Sequence, residues 1–211
     1  MHLFSYVVTR DYGFAPNPFP PYCTLATCKP GIREAAEIGD WVIGSGSEAK
    51  GSTLKGKLIY AMQVERKISF DDYWNDVTYQ YKKPIMNGSL RQMYGDNIYH
   101  WDESASNYVQ ENSHHSYSNG IVNPYNFKRD LKSKHVLISE TYWYWGRNAI
   151  EIPSQFWSLL KKGVGFKRID GDSEAGDLIY KFIAWVKSFP SRGYIGRPLQ
   201  FGNGFSRYNG K

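Results

Sequence analysis

Apolar and polar positions divide the chain into stretches that alternate like strands and stretches that repeat like helices. Alternating aromatic and β-branched residues predict strands over 3–10, 41–44, 56–68 and 135–146. Apolar residues at helical spacing predict helices over 70–76, 155–160 and 174–189, and a shorter one beginning near residue 32. In the helix over 174–189, one face carries Leu178, Ile179, Phe182, Ile183, Val186 and Phe189.

Serines precede three of these predicted helices. The side-chain oxygens of Ser69, Ser154 and Ser173 can each accept a hydrogen bond from a free backbone N–H of the first turn. Pro84 and Pro190 lie beyond the first and last of these helices, where a proline cannot continue the helix. We therefore expect serine-capped helices.

Two stretches have little periodicity. Residues 11–33 contain five prolines and several aromatic residues, so we expect an ordered loop packed onto the body. Residues 85–130 carry turn signals and no clear element. The glycine–serine stretch 44–47 lacks the dinucleotide-binding glycine pattern and is predicted to be a hairpin tip.

The order of elements predicts an α+β fold. We expect a mostly antiparallel sheet, or a small β-barrel, flanked by short helices, because regular strand–helix alternation is lacking. A single domain is predicted over 1–190, followed by a basic tail rich in glycine and aromatic residues over 191–211.

Composition supports a packed core, with 41% hydrophobic and 17% aromatic residues. The net charge is +6, but five of the 26 basic residues lie in 186–211, which contains no acidic residue. The remaining 21 basic residues face 20 acidic ones over 1–185. Uniform binding along a duplex is therefore disfavoured, while local phosphate contacts remain open.

The two cysteines and the hydropathy of the chain indicate its setting. No apolar run approaches the roughly 20 residues that span a membrane, so no membrane partner is expected. Two cysteines without a secretory leader fit a reducing, cytoplasmic environment.

His114 and His115 are adjacent and raise the question of a metal site. Zinc needs three or four converging ligands, and the candidates are these two histidines with Cys23 and Cys28. Adjacent side chains point to opposite faces of a strand, so only an irregular loop could bring both to one ion. We predict no metal and no cofactor.

A nucleophilic site is a second possibility for the same residues. Cys23 or Cys28 paired with His114 would supply a thiol and a base, but no local signature marks such a pair. Cysteines in a proline-rich loop are more often small hydrophobic residues. The sequence therefore favours a packing role.

A turn at residues 94–102 offers groups that read a base. Gly95 permits a tight turn that would present Asp96 and Asn97 beside aromatic rings, although a capped turn over an aromatic cluster is equally expected. The stretch 141–146 alternates tyrosine and tryptophan. One of its faces could stack on a base, but core on both faces is favoured.

Several stretches, taken in order, resemble one family. They are LFSYVVTRDYGFAPNPF (3–19), CTLATCKPGIR (23–33), GDWVIGSGS (39–47), LIYAMQVERKISFDDYW (58–74), YGDNIYH (94–100), SHHS (113–116) and HVLISETYWYWG (135–146). They cover most of 3–153 and resemble the nucleotide modification associated domain 2 family of bacterial and phage genomes. A weaker resemblance to PUA-like domains, including the EVE and ASCH groups, implies a small barrel that holds a nucleobase.

The resemblance implies a part in DNA-base modification or in systems that cope with modified DNA, with no reaction assigned. The matching polar and aromatic positions are Arg10, Asp11, Asn17, Cys23, Cys28, Arg33, Asp40, Trp41, Asp96, Asn97, His114 and His115.

Three hypotheses for function follow. The leading one is a domain that recognises a nucleotide, or nucleic acid with a modified base, in a DNA-modification or phage-defence setting. Its base-binding candidates are Tyr6, Arg10, Asp11, Asn17, Cys23, Arg33, Trp41, Asn97 and Tyr142, and its phosphate-binding candidates are Arg192, Arg197 and Arg207. The second is an enzyme acting on a base or nucleotide, with catalytic candidates Asp96, His114 and His115. The third is a non-catalytic protein adaptor.

Overall fold

The computed structural model describes residues 1–47 and 53–210. Its strands are β1 (His2–Val8), β2 (Cys23–Leu25), β3 (Trp41–Gly46), β4 (Lys57–Gln63), β5 (Arg66–Ser69), β6 (Tyr99–Asp102), β7 (Asn107–Gln110), β8 (His135–Ser139), β9 (Tyr142–Tyr144), β10 (Ile150–Glu151), β11 (Phe166–Asp170) and β12 (Gly193–Tyr194). Its α-helices are α1 (Pro30–Ala35), α2 (Phe70–Asn75), α3 (Leu90–Met93), α4 (Pro124–Asp130) and α5 (Gly176–Lys187). Short 3-10 helices cover Val77–Lys82, Ser118–Gly120, Gly146–Asn148, Ser154–Leu159 and Leu199–Asn203.

The strands form three sheets. The largest has the order β11-β1-β3-β4-β9-β12, with β10 also paired to β4. In it β1–β3 and β9–β12 pair in parallel and the other pairs are antiparallel. A second, antiparallel sheet has the order β2-β8-β5, and β6 with β7 forms a hairpin. The mixed α+β class is confirmed, while the described strands close no barrel.

Both faces of the largest sheet are buried. Tyr142 and Tyr144 pack into a cluster on one face, and Trp143 packs on the other with the apolar side of α5. Of the six apolar positions predicted to share one face of the helix over 174–189, four are buried, which confirms this face. They are Ile179, Phe182, Ile183 and Val186. Core on both faces of 142–144 leaves no exposed stacking platform there.

The capping predictions had different outcomes. Ser69 accepts a hydrogen bond from the backbone N–H of Asp72 at 3.0 Å, which confirms it as the N-cap of α2. Ser154 lies inside its 3-10 helix, and Ser173 donates to the carbonyl of Asp170. The caps predicted at these two serines are therefore wrong, because Ser154 is the first residue of its helix rather than the residue before it, and the residue before α5 is Ala175.

Two strands predicted as continuous are each broken, and the two breaks lie beside each other in the structure. The stretch 56–68 divides into β4 and β5, and 135–146 divides into β8 and β9. At the break, the Glu65 carboxylate accepts the backbone N–H groups of Glu140 and Thr141. The first stretch passes there from the largest sheet to the second one, and the second stretch passes back, so the chain joins the two sheets twice.

The two aperiodic stretches hold most of the elements that the sequence does not predict. Residues 11–33 contain β2, and 85–130 contain α3, the β6–β7 hairpin and α4. Their aromatic residues form a third core cluster, which includes Phe14, Tyr94 and Tyr99. Residues 44–46 of the glycine–serine stretch belong to β3, and 48–52 lie outside the described residues.

The segment after residue 190, predicted as a tail, packs onto this body. β12 pairs with β9, and Phe201 and Phe205 contact the ring of Tyr94. The backbone N–H of Tyr208 donates to the carbonyl of His114 at 2.8 Å. In the described part of the chain, no helix has the length and apolarity needed to cross a membrane.

Candidate functional site

A cavity of about 570 Å³ opens beside the end of β1. Its walls are residues 6–10 of β1 and the following loop, the turn that leads into α1, the His114–His115 loop and residues 164–166. Arg129 of α4 and Tyr208 of the C-terminal segment complete it. Parts of the chain that are far apart in sequence therefore meet at one site.

The cavity lining combines aromatic rings with cations. The rings are those of Tyr6, Tyr12, Phe14, Phe166 and Tyr208, and the cations are Arg10, Lys29 and Arg129. Among the described residues that line the cavity, none is acidic. Such a surface favours a flat ligand that carries negative charge.

Cys28 occupies a strained turn in the cavity wall. Its φ is 55° and that of the next residue, Lys29, is 37°, so two consecutive side-chain-bearing residues adopt the left-handed conformation. This conformation costs about 1 kcal/mol or more per residue and persists only where the surroundings enforce it. Cys28 is partly exposed, whereas Cys23 is fully buried.

Arg33 enforces that turn. Its buried guanidinium donates to the carbonyl oxygens of Cys28 at 2.9 Å and Asp130 at 2.6 Å, and also to those of Ser133 and His135. Arg33 thus ties the turn before α1 to the end of α4. Arg33 does not line the cavity. Its four hydrogen bonds all go to backbone carbonyls.

His115 lies between Cys28 and Asp130. Its Nε2 is 3.6 Å from the Sγ of Cys28, and its Nδ1 donates to Oδ2 of Asp130 at 2.7 Å. The backbone N–H of Cys28 donates to the other oxygen, Oδ1, at 3.0 Å. Thiol, imidazole and carboxylate therefore follow one another in a line, with the imidazole in the middle.

The charges of this line reinforce one another. Burial alone would lower the pKa of His115, but Asp130 and Cys28 together raise that pKa to about 9. Burial would likewise raise the pKa of Asp130, yet the charge of His115 holds that pKa at about 2. At neutral pH, His115 is therefore an imidazolium and Asp130 a carboxylate.

The same three side chains are also of types that bind metal ions. Their ligand atoms lie within 4.8 Å of one another. One ion can bond only one nitrogen of His115, and here the thiol and the carboxylate lie at opposite nitrogens. This arrangement suits proton transfer along the line rather than chelation of one ion.

His114 has the opposite character to its neighbour. Its Nδ1 donates to the carbonyl of Ser206 at 2.6 Å, and its ring packs against Tyr12, Phe14 and Tyr94. Burial and the charge of His115 lower the pKa of His114 to about 3. A neutral imidazole therefore lies among aromatic rings in the cavity wall.

Asp96 and Asn97 lie elsewhere, in a buried polar network. Asp96 accepts hydrogen bonds from the hydroxyls of Thr24 at 2.7 Å and Tyr73 at 2.9 Å. Asn97 donates to the carbonyl of Tyr73, and neither residue lines the cavity. The geometry therefore does not support Asp96 as a general base for a ligand in this cavity.

Other predicted residues are also structural in this geometry. Asn17 contacts the buried ammonium of Lys82, and Asp11 accepts from Tyr144 and from the backbone of Leu199. Cys23 and Trp41 are core residues, and Tyr142 donates to the carbonyl of Pro18. Asp40 accepts from the backbone N–H of His2 and of Glu37.

Among the predicted phosphate contacts, Arg192 and Arg197 are exposed and lie outside the cavity lining. Arg207 donates to the carbonyl of Ser113 at 2.6 Å, to Oγ of Ser116 and to Oδ1 of Asn112. It holds the loop that carries both histidines. Of the predicted site residues, the structure brings Tyr6, Arg10, His114 and His115 to the cavity.

Several cavity residues were missed by sequence reasoning. Lys29 lies within the quoted stretch 23–33 but was not singled out, and Arg129 and Tyr208 lie outside the quoted stretches. Asp130, which contacts the cavity residue His115, lies in the stretch with weak periodicity. Cys28 was considered but paired with His114 instead of His115. The resemblance already contained Cys28 and His115, and it was the one signal that could have joined them.

Comparison with family models places the chain. The model of nucleotide modification associated domain 2 matches residues 1–205. The chain belongs to this family. The match extends beyond the 3–153 covered by the quoted motifs and includes most of the segment that completes the cavity, up to but not including Tyr208. No curated protein and no solved structure matches the chain.

Proposed function

We propose that this member of the nucleotide modification associated domain 2 family binds a nucleotide, or a nucleotide flipped out of a nucleic acid, in the cavity beside β1. The observation that carries this proposal is the lining of the cavity, which joins five aromatic rings to three cations without a described acidic residue. A base needs flat apolar surfaces, and its phosphate needs cations.

The size of the cavity fits this ligand class. Pockets for small ligands span roughly 300–1,000 Å³, and the cavity of about 570 Å³ lies within that range. Tyr12 and Tyr208 are only partly buried, so their rings keep surface available for stacking. The neutral Nε2 side of His114 supplies a polar group beside these rings.

The cations are held in a way that leaves them available to an anion. Arg10 lies 5.3 Å from the ring centre of Tyr208, and Lys29 lies 4.5 Å from that of Tyr6. Burial lowers the pKa of Lys29, which means that its charge is partly desolvated. A phosphate would relieve this cost, because it replaces lost water with an opposite charge.

We further propose that the base is a modified one and that the setting is DNA modification or phage defence in the cytoplasm. Membership of a nucleotide modification associated family supports the link to modification. For a longer nucleic acid, the exposed Arg192 and Arg197 supply further phosphate contacts outside the cavity.

Calorimetry with nucleosides and their monophosphates tests the proposal. We expect monophosphates to bind at least about 10-fold more tightly than nucleosides, since a well-placed charged contact contributes about 1.5–3 kcal/mol. Arg10→Met should reduce affinity for the monophosphate by about the same factor, and Arg147→Met, at an exposed position outside the cavity, should not. Equal affinity for both ligand forms would contradict the proposal.

A further inference from the structure

We propose that Cys28 is a nucleophile, with His115 as its acid–base partner and Asp130 as the residue that positions His115. The three side chains form a continuous line that ends at Cys28, a partly exposed residue of the cavity wall. The substrate class rests on the proposed function, because the acceptor is an anionic, ring-bearing ligand of the same cavity.

The geometry assigns a separate task to each group. Asp130 holds the Nδ1–H of His115 at 2.7 Å and directs Nε2 to the sulfur. Asp130 is itself fixed by the backbone N–H of Cys28 and by the hydroxyl of Tyr99, each at 3.0 Å. A positively charged imidazolium beside a thiol stabilises its thiolate, which is the nucleophilic form.

The backbone presents the sulfur to the cavity. Two consecutive left-handed residues, Cys28 and Lys29, form a sharp turn between β2 and α1. Four hydrogen bonds from Arg33 to backbone carbonyls hold this turn and the end of α4 together. Strain enforced by buried contacts at one reactive side chain is typical of a nucleophile held at a fixed position.

We assign the reaction class as hydrolytic acyl transfer. The thiolate attacks the carbonyl carbon of an N-acyl or O-acyl group on the nucleotide and forms a C–S bond. The C–N or C–O bond breaks, and the leaving group takes the proton from Nε2 of His115. Water then attacks the thioester and gives a proton to His115, and this releases a carboxylic acid and the thiolate. Water is the only co-reactant.

The titration of this line is influenced by all the charged groups around it. Lys29 and Arg33 approach from the turn and α1, Arg129 and Asp130 from α4, Tyr99 from β6, and His114 with Arg10 from the cavity side. Asp130 carries the negative charge that balances His115, and the remaining neighbours are neutral or cationic at neutral pH.

Site-resolved alkylation of the whole chain with iodoacetamide tests the nucleophile without any nucleotide. At about pH 6.5 an ordinary thiol is only about 1% thiolate and reacts slowly, while a neighbouring imidazolium raises the reactivity of a thiol. We expect Cys28 to react roughly 10-fold faster at about pH 6.5 than the same cysteine in denatured chain.

Matched variants separate the line from its surroundings. His115→Gln and Asp130→Asn should remove the excess alkylation rate of Cys28 near pH 6.5. His100→Gln, at a histidine stacked on Trp74 outside the site, should react like the wild type. Buried Cys23, whose pKa burial raises to about 12, is the internal control that stays unmodified. The wild-type rate, compared with that of the denatured chain, decides the question even where a variant does not fold.

The acyl step has its own readout with p-nitrophenyl acetate. We expect a burst of p-nitrophenolate, an acetyl group on Cys28, and its slow release by water, all lost in His115→Gln. A wild-type alkylation rate at about pH 6.5 that is no faster than that of the denatured chain would overturn the nucleophile. Reactive Cys28 without a burst would overturn the acyl class. Protection of Cys28 from alkylation by a nucleoside monophosphate would support both the nucleophile and nucleotide binding in the cavity. Fast alkylation without protection would support the nucleophile and contradict nucleotide binding at this site.

Discussion

Two buried networks in this protein look alike and differ in one respect. Asp96 and Asp130 each accept a tyrosine hydroxyl, from Tyr73 at 2.9 Å and from Tyr99 at 3.0 Å. Each also has a buried cation nearby, Lys82 for Asp96 and His115 for Asp130. Only the Asp130 network reaches a cavity, through the sulfur of Cys28.

The difference shows what makes a buried carboxylate functional. The ammonium of Lys82 donates hydrogen bonds to oxygen atoms of Asn17, Phe19 and Tyr22, all within 3.0 Å, and so holds the proline-rich loop. His115 has two nitrogens and can pass a proton from one side to the other. The Asp96 network therefore stabilises a loop, whereas the Asp130 network can transfer a proton.

The largest effect on this comparison is expected from Lys82→Met. The substitution leaves carbonyl oxygens unsatisfied and Asp96 without its neighbouring cation, so we expect a loss of about 3–5 kcal/mol in the free energy of unfolding. Urea denaturation measures it, with Lys128→Met at an exposed position as control. Equal stability of the two variants would show that the Asp96 network is not structural.

Asp96→Asn should separate stability from reactivity. Tyr73 and Thr24 keep a partner of similar shape but lose the charge, so we expect a loss of about 1–3 kcal/mol in stability. Alkylation of Cys28 and binding of a monophosphate should stay within about 2-fold of the wild type. Loss of both in a folded Asp96→Asn protein would restore Asp96 as the general base.

The adjacent histidines should make stability depend on pH in opposite directions. The pKa of His114, about 3 in the folded state, lies below its ordinary value, so stability falls as pH drops below about 6.5. The pKa of His115 is raised to about 9, so its contribution is complete below about pH 6.5 and disappears as pH rises through 9.

Melting temperatures at acid, neutral and alkaline pH measure both contributions. His114→Gln should weaken the acid-side decline, and His115→Gln should weaken the alkaline-side decline. Each slope changes by at most about 1.4 kcal/mol per pH unit. An acid-side slope that is unchanged in His114→Gln would mean that this imidazole is not buried in its neutral form.

The smallest effect is expected from the exposed arginines of the C-terminal segment. Arg192→Gln with Arg197→Gln should leave binding of a mononucleotide unchanged, because both residues lie outside the cavity. Binding of a single-stranded oligonucleotide should weaken and lose up to about 1.4 units of its logarithmic salt slope. An unchanged slope would remove these arginines from the nucleic-acid contacts.

Sequence patterns predicted the parts of the fold that depend on local periodicity. The strand that became β1, the apolar face of α5 and the cap at Ser69 follow from residues within one element. The edge strand β11 did not follow, since most of its residues are exposed and give no apolar alternation. The broken strands did not follow either, because Glu65 breaks both through contacts with a distant segment.

The candidate site could be predicted only in part for the same reason. Of the residues predicted for the site, Tyr6, Arg10 and both histidines line the cavity. Cys28 and Asp130 are 102 residues apart in sequence, and no local pattern relates them. The adjacent histidines were assessed with strand geometry, whereas they lie in a loop held by Ser113, Ser116 and Arg207.

Tyr208 has a consequence for how this protein is made. It forms a wall of the cavity and follows every other lining residue in sequence. During synthesis, β1 and the turn at Cys28 leave the ribosome long before Tyr208, whereas the His114–His115 loop gains its contacts with Ser206 and Arg207 only when Tyr208 follows. The ligand-binding surface is therefore completed late, so a nascent chain cannot engage its ligand until nearly all of the described chain has been translated.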